Sequence, residues 1–159
     1  MTYKTILVHC DAGPKLGQRL AVAVELAKRN AAHLVGIAVR QPFVTPVFAD
    51  GTTPMDSLYT AYEEAAKADE STAAAAFAAA VKSAGLSTDW TVVEGYAEEQ
   101  LAARARYADL LVLGQSDPDS QTRAPPVSPE SVVLASGRPA LVVPHVGASA
   151  PPGRNILLC

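Results

Sequence analysis

Thr5-Ile6-Leu7-Val8-His9-Cys10 runs into Asp11-Ala12-Gly13-Pro14, and Leu16, Leu20, Ala23, Val24 and Ala27 follow at helical spacing. The first six residues form a short apolar run rich in β-formers, which reads as a buried strand. The next four read as a turn, with Pro14 suited to the first helical position. The spacing of the later apolar residues predicts a helix from Pro14 to Asn30. A strand handed directly to a helix in this way is the opening unit of an α/β domain.

The same alternation continues along the chain. His33 to Val39 reads as a second strand, and Trp90 to Glu94 as a third. Asp109 to Leu113 reads as a fourth, closed at once by Gly114, and Ala140 to Pro144 as a fifth. A long helix is expected from Asp56 to Ala84, with Leu58, Tyr62, Ala65, Ala66, Ala73, Phe77 and Val81 on its buried side and Gly85 ending it. A shorter helix spans Glu98 to Tyr107. Ser128-Pro129-Glu130 has the form of a helix start, with Ser as cap, Pro at the first turn and an acid near the positive end of the dipole. That helix ends at Gly137.

Four of the five strands are short and apolar on both faces, which suits a parallel sheet covered by helices on both sides. Right-handed crossovers make it a doubly wound five-stranded parallel sheet, an α/β sandwich. Ligands of such sheets bind beyond the carboxyl ends of the strands, at the switch point. Residues 40–56 interrupt the rhythm with a partly apolar, proline-containing loop, expected either to cover a pocket or partner or to pack over the sheet edge.

The chain has 159 residues, 49% hydrophobic and 18% charged, with net charge −3. That is one domain with enough length for a proper core. The acidic balance argues against nucleic acid as a partner. No stretch approaches the 18 apolar residues of a membrane span. Two cysteines make no disulfide framework, and a reducing cytoplasm is the natural setting. No metal-ligand spacing occurs among the histidines and cysteines.

The tail has its own pattern. The domain is expected to occupy residues 1–144, followed by a linker over 145–153. Arg154-Asn155-Ile156-Leu157-Leu158-Cys159 then echoes Lys4-Thr5-Ile6-Leu7-Val8. It reads either as the opening of a second, truncated repeat or as an apolar terminal strand.

Taken together, Thr5-Ile6-Leu7-Val8 with Asp11, Ala108-Asp109-Leu110-Leu111-Val112-Leu113-Gly114 and Pro139-Ala140-Leu141-Val142-Val143-Pro144 resemble the universal stress protein family over nearly the whole chain. The resemblance implies that family's nucleotide-binding, α-hydrolase-like sandwich, and the second repeat fits its tandem members. Its ATP-binding members carry Gly-x-x-Gly, nine residues, then Gly-Ser/Thr after the fourth strand. Glycines there let the backbone approach phosphates, and amide N–H groups hold the charge. Here Gly114 matches the first glycine, Asp117 takes the place of the second, and Val127 the third, with Ser128 in the Ser/Thr place. Counting back from Pro139 moves the last pair to Pro126 and Val127. Pro125, Pro126 and Pro129 lack amide donors, and Asp117 and Asp119 repel phosphate, with Arg123 the one cation of the loop.

The resemblance therefore implies a non-catalytic stress-response domain with a degenerate phosphate site and no cofactor. It would act as a homodimer through Leu141, Val142 and Val143 of the last strand, and on a further protein partner. The alternative is an atypical ATP- or AMP-binding domain using Asp11, Ala12, Val39, Gly114, Ser116 and Ser128. Each of these has a plainer role available. Asp11 can cap the first helix, and Ser116, with Ser120, Gln121 and Thr122, can sit in a solvated loop. His9-Cys10-Asp11 lacks a partner base, so a buried structural thiol is expected at Cys10. Glu63, Glu64, Lys67, Asp69 and Glu70 read as a solvated helix face.

Overall fold

In the computed structural model, residues 2–44, 55–116 and 126–147 are described. The elements run β1 Thr5–His9, α1 Leu16–Asn30, β2 His33–Arg40, α2 Met55–Val81, β3 Thr88–Glu94, α3 Ala97–Ala105, β4 Leu110–Gly114, α4 Pro129–Ser136 and β5 Ala140–Val143. All pairings are parallel, in the order β3-β2-β1-β4-β5. The chain therefore winds outward twice from the centre, and the order reverses between β1 and β4.

Side-chain alternation along the strands feeds two cores. Ile6, Val8, Leu34, Leu110 and Val112 pack under α1 and α2 with Leu20, Ala23 and Phe77. Leu7, Ile37, Leu111 and Leu113 pack on the other face with Leu101, Ala105 and Val132 of α3 and α4. Gly36 shows how tight the first core is: a Cβ there would lie 2.7 Å from the Phe77 ring and 2.8 Å from Trp90. Only a bare backbone lets those two rings, 5.4 Å apart between centroids, sit on β2.

The ends of α4 form as the sequence predicts. The Ser128 hydroxyl accepts from the Ser131 N–H, Pro129 opens the first turn, and Gly137 closes the helix at a φ of 63°. The start of α1 departs from expectation. The helix begins at Leu16, after a turn that contains Pro14, and Asp11 is not its cap. The Asp11 carboxylate instead accepts from the Gly13 N–H at 2.9 Å and turns toward Arg19.

The buried side of α2 also differs. Ala73 and Phe77 are buried, whereas Leu58, Tyr62, Ala65 and Ala66 are only half-buried. The amino-terminal half of this helix lies beyond the sheet and walls a cavity instead of a core. β5 lies at one edge of the sheet, with Val142 39% exposed. Beyond it the chain turns back, the Gly147 N–H reaching the Pro144 carbonyl at 2.9 Å.

Asp117, Asp119, Ser120, Gln121, Thr122, Arg123 and Pro125, most of the 40–56 loop, and the expected second repeat at 154–159 lie outside the described residues. No helix among the described residues is long and apolar enough to cross a membrane.

Candidate functional site

Where β1, β2 and β3 end, a cavity of about 720 Å³ opens between α2 and α3. Its floor is apolar, from Ala38, Val39, Val92 and Ala73, and Pro42 and Phe43 form part of its rim. Phe43 meets Tyr59 edge-on at 5.6 Å and Tyr62 at 5.3 Å between ring centroids. The first residues of the 40–56 loop thus wall the cavity. The Tyr62 hydroxyl donates to the Gln41 carbonyl, and burial pushes its phenol pKa up.

The charges of this rim were only partly legible in the sequence. Asp11 lines the cavity, and its carboxylate meets the Arg19 guanidinium at 2.7 Å. Burial alone would raise the Asp11 pKa; the Arg19 charge, the neighbouring His9 and the Gly13 N–H outweigh it and hold the carboxyl below the usual range. Arg19 is 5% exposed, and its Nε has no hydrogen-bond partner among the described residues. Sequence reasoning passed over it. The signal was there: an arginine beside Leu16, Leu20 and Ala23 on the one apolar stripe of a helix has to be buried and paired.

His9 is buried as well. Desolvation, helped by the Arg19 charge, lowers its pKa to about 4. The Cys10 thiol is pushed up to about 12, chiefly by burial, so it is not ionised at neutral pH and is a poor nucleophile.

Arg40, at the end of β2, meets Glu70 at 2.6 Å and Glu94 at 3.6 Å. Asp69 and Glu70 both line the cavity. The expectation of a wholly solvated acidic face on α2 is corrected here, because Arg40 draws Glu70 inward.

Ala12 and Val39 line the cavity beside Asp11, whereas Gly114, Ser116 and Ser128 do not. A Cβ on Gly114 would overlap the Arg19 guanidinium, so this glycine makes room for an arginine. The Ser116 hydroxyl donates to the Val127 carbonyl at 3.0 Å. The Ser128 N–H, at the amino end of α4, donates to a Glu98 carboxylate oxygen at 2.9 Å. The reading of Ser116 as a loop residue in solvent is thereby corrected, since its hydroxyl ties the end of β4 to the entry of α4. No group of three or more metal-ligating side chains occurs among the described residues.

A family model described as the universal stress protein family matches residues 2–144. Among solved structures, the universal stress protein UspA from Lactobacillus plantarum is 21% identical, with a TM-score of 0.66 over 89% of this chain and 98% of that one. A universal stress family protein from Burkholderia pseudomallei is 25% identical, with a TM-score of 0.60 over 89% and 96%. A family protein from Arabidopsis thaliana with AMP bound is 12% identical, with a TM-score of 0.56 over 89% and 91%. No curated protein matches the chain.

Proposed function

The chain belongs to the universal stress protein family, and from that premise we propose a non-catalytic stress-response domain of the cytoplasm that works by dimerisation and partner binding, its phosphate site degenerate. The observation that carries this reading is the Glu98 carboxylate on the Ser128 N–H. An amide at a helix start is where a phosphate would be held, and here the chain's own anion takes it. Pro126, one of the residues at the site's edge, has no amide to offer. Arg19 is spent on Asp11 and fills the space over Gly114. By the same reading residues 1–144 form the domain, 145–153 a linker, and 154–159 the opening of a second repeat.

A second reading, an adenine-nucleotide site on Asp11, Ala12 and Val39, draws on the size of the cavity and on the AMP bound by the Arabidopsis relative. Calorimetric titration with ATP and AMP, with and without Mg²⁺, separates the two. We expect no heat and no thermal shift at ligand concentrations up to about 1 mM. Micromolar binding of either nucleotide would replace the first reading with the second.

Dimerisation is expected through β5. Its outward residues are apolar, Val142 is 39% exposed, and Leu134 on α4, which packs against β5, is 85% exposed. An apolar edge strand invites a second copy, which removes that surface from water. Pro139 and Pro144 bracket the strand, so side-chain packing carries much of the contact. Val142→Lys should weaken the dimer about tenfold, the cost of exposing one valine's contact area, while leaving the fold intact. Sedimentation velocity reads both chains; a monomer at high micromolar concentration for the unmodified chain would defeat the idea.

A further inference from the structure

The cavity survives although its phosphate end is taken, and its charge says what it can hold. Five acidic residues are among its lining, Asp11, Asp69, Glu70, Glu98 and Glu99, against one basic residue, Arg40. Two of the five are neutralised locally, Asp11 by Arg19 and Glu70 by Arg40. Asp69, Glu98 and Glu99 have no ion-pair partner among the described residues. The residues outside the described set at 45–54 and 117–125 carry Asp50, Asp117 and Asp119 against Arg123, so by sequence they add no net positive charge. An anionic ligand would therefore enter against repulsion, and a cation would be drawn in.

The other half of the chemistry is apolar. Alanines and valines make the floor, and the rings of Phe43, Tyr62 and Tyr96 line the wall. A strongly hydrated inorganic ion gains little there. An organic cation gains twice, from burial of its body and from the attraction of aromatic faces for its charge.

We propose that this cavity binds a small organic cation with an apolar or aromatic body, such as a quaternary ammonium or a protonated arylalkylamine, its body on the Ala38–Val92 floor and its charge beside Asp69 and Glu99. The proposal rests on the reading that the phosphate end is closed, and the two can fail separately.

The test is a titration of the full chain with benzyltrimethylammonium, benzyl alcohol and phenylacetate, three ligands that share a ring and differ in charge. Calorimetry and amide NMR shifts read the binding. The cation should bind at least fivefold more tightly than the alcohol, phenylacetate should not bind, and raising the salt should weaken the cation alone. Asp69→Asn and Glu99→Gln should each weaken the cation on the order of fivefold with the alcohol unaffected. Glu64→Gln, which removes the same net charge from the exposed side of α2, should change nothing. Equal affinity for cation and alcohol, absence of cation binding, or an equal effect of Glu64→Gln would each overturn the proposal. If ATP also fails to bind, such a result leaves the closed phosphate site standing; if ATP binds at micromolar affinity, the closed-site reading falls first.

Discussion

Lowering the pH from 6.5 to 4 is expected to remove about 3 kcal/mol of folding stability through one residue, His9. Its side chain is 10% exposed, and desolvation, with the Arg19 charge, lowers its pKa from 6.5 to about 4. Above pH 6.5 the imidazole is neutral in both the folded and the unfolded chain, so it adds no slope. Between 6.5 and about 4 the unfolded chain takes up a proton that the folded chain refuses, and stability falls as the pH falls. Below about 4 both states hold the proton and the loss is complete. Some two and a half pH units at about 1.4 kcal/mol per unit set the size. Urea unfolding at a series of pH values checks it, with His9→Gln as the comparison. The substituted chain should show a nearly flat midpoint over this window. An unchanged slope in His9→Gln, or an NMR titration that puts the His9 midpoint near 6.5, would refute the assignment.

Asp11→Ala should cost about 3 kcal/mol, because it leaves the buried Arg19 guanidinium without its counter-charge. That is the low end for breaking a buried pair, since the Asp11 carboxylate is itself 40% exposed and water can approach. The double substitution Asp11→Ala with Arg19→Met should recover most of the loss, because an apolar chain of similar length fills the space without a charge to solvate. Asp11 also adds a pH dependence of its own. Its folded pKa is depressed, so its contribution is present above the usual carboxylate range and is lost as the pH falls through the depressed value. The Asp11→Ala chain should therefore lose less stability than the parent below the window in which His9 titrates. A double-mutant cycle from urea midpoints measures the pair directly. A loss below about 0.5 kcal/mol for Asp11→Ala would place the pair among weak surface contacts instead.

These two predictions share a structural origin. His9 and Arg19, both buried, and the part-exposed Asp11 form one knot at the point where β1 gives way to α1, next to Gly114 at the end of β4. In a doubly wound sheet this is the switch point, where a ligand's charged group is ordinarily received. Here the chain fills it with its own salt bridge. The cavity opens beside it, at the ends of β1, β2 and β3, with Asp11 in its lining.

Much of the architecture was legible in the residues alone. Strand and helix alternate with clear periods, and the elements start and stop at chemically marked places such as Ser128-Pro129 and Gly137. The parallel sheet followed from strands apolar on both faces, because such strands have to be covered on both sides. β5, the strand through which the family resemblance implies a dimer, stands at one edge of the sheet. Local propensity and hydrophobic period act over a few residues, so one chain carries them openly.

The site was legible only in part, for a physical reason. Asp11, Ala12 and Val39 belong to strand ends, which topology places at one rim, and all three line the cavity. Arg19 on Gly114, Glu98 on the Ser128 amide and Arg40 between Glu70 and Glu94 join residues 30 to 95 positions apart, on different strands and helices. No local rule says which acid meets which base across such distances. Only the packing of α1 against β4, and of α3 against the start of α4, brings those charges within hydrogen-bonding reach. The sequence alone determined the sheet and its covering helices; the tertiary structure decided which charges neutralise one another and so what charge the cavity presents, because pairing energies depend on distances that only the folded chain sets.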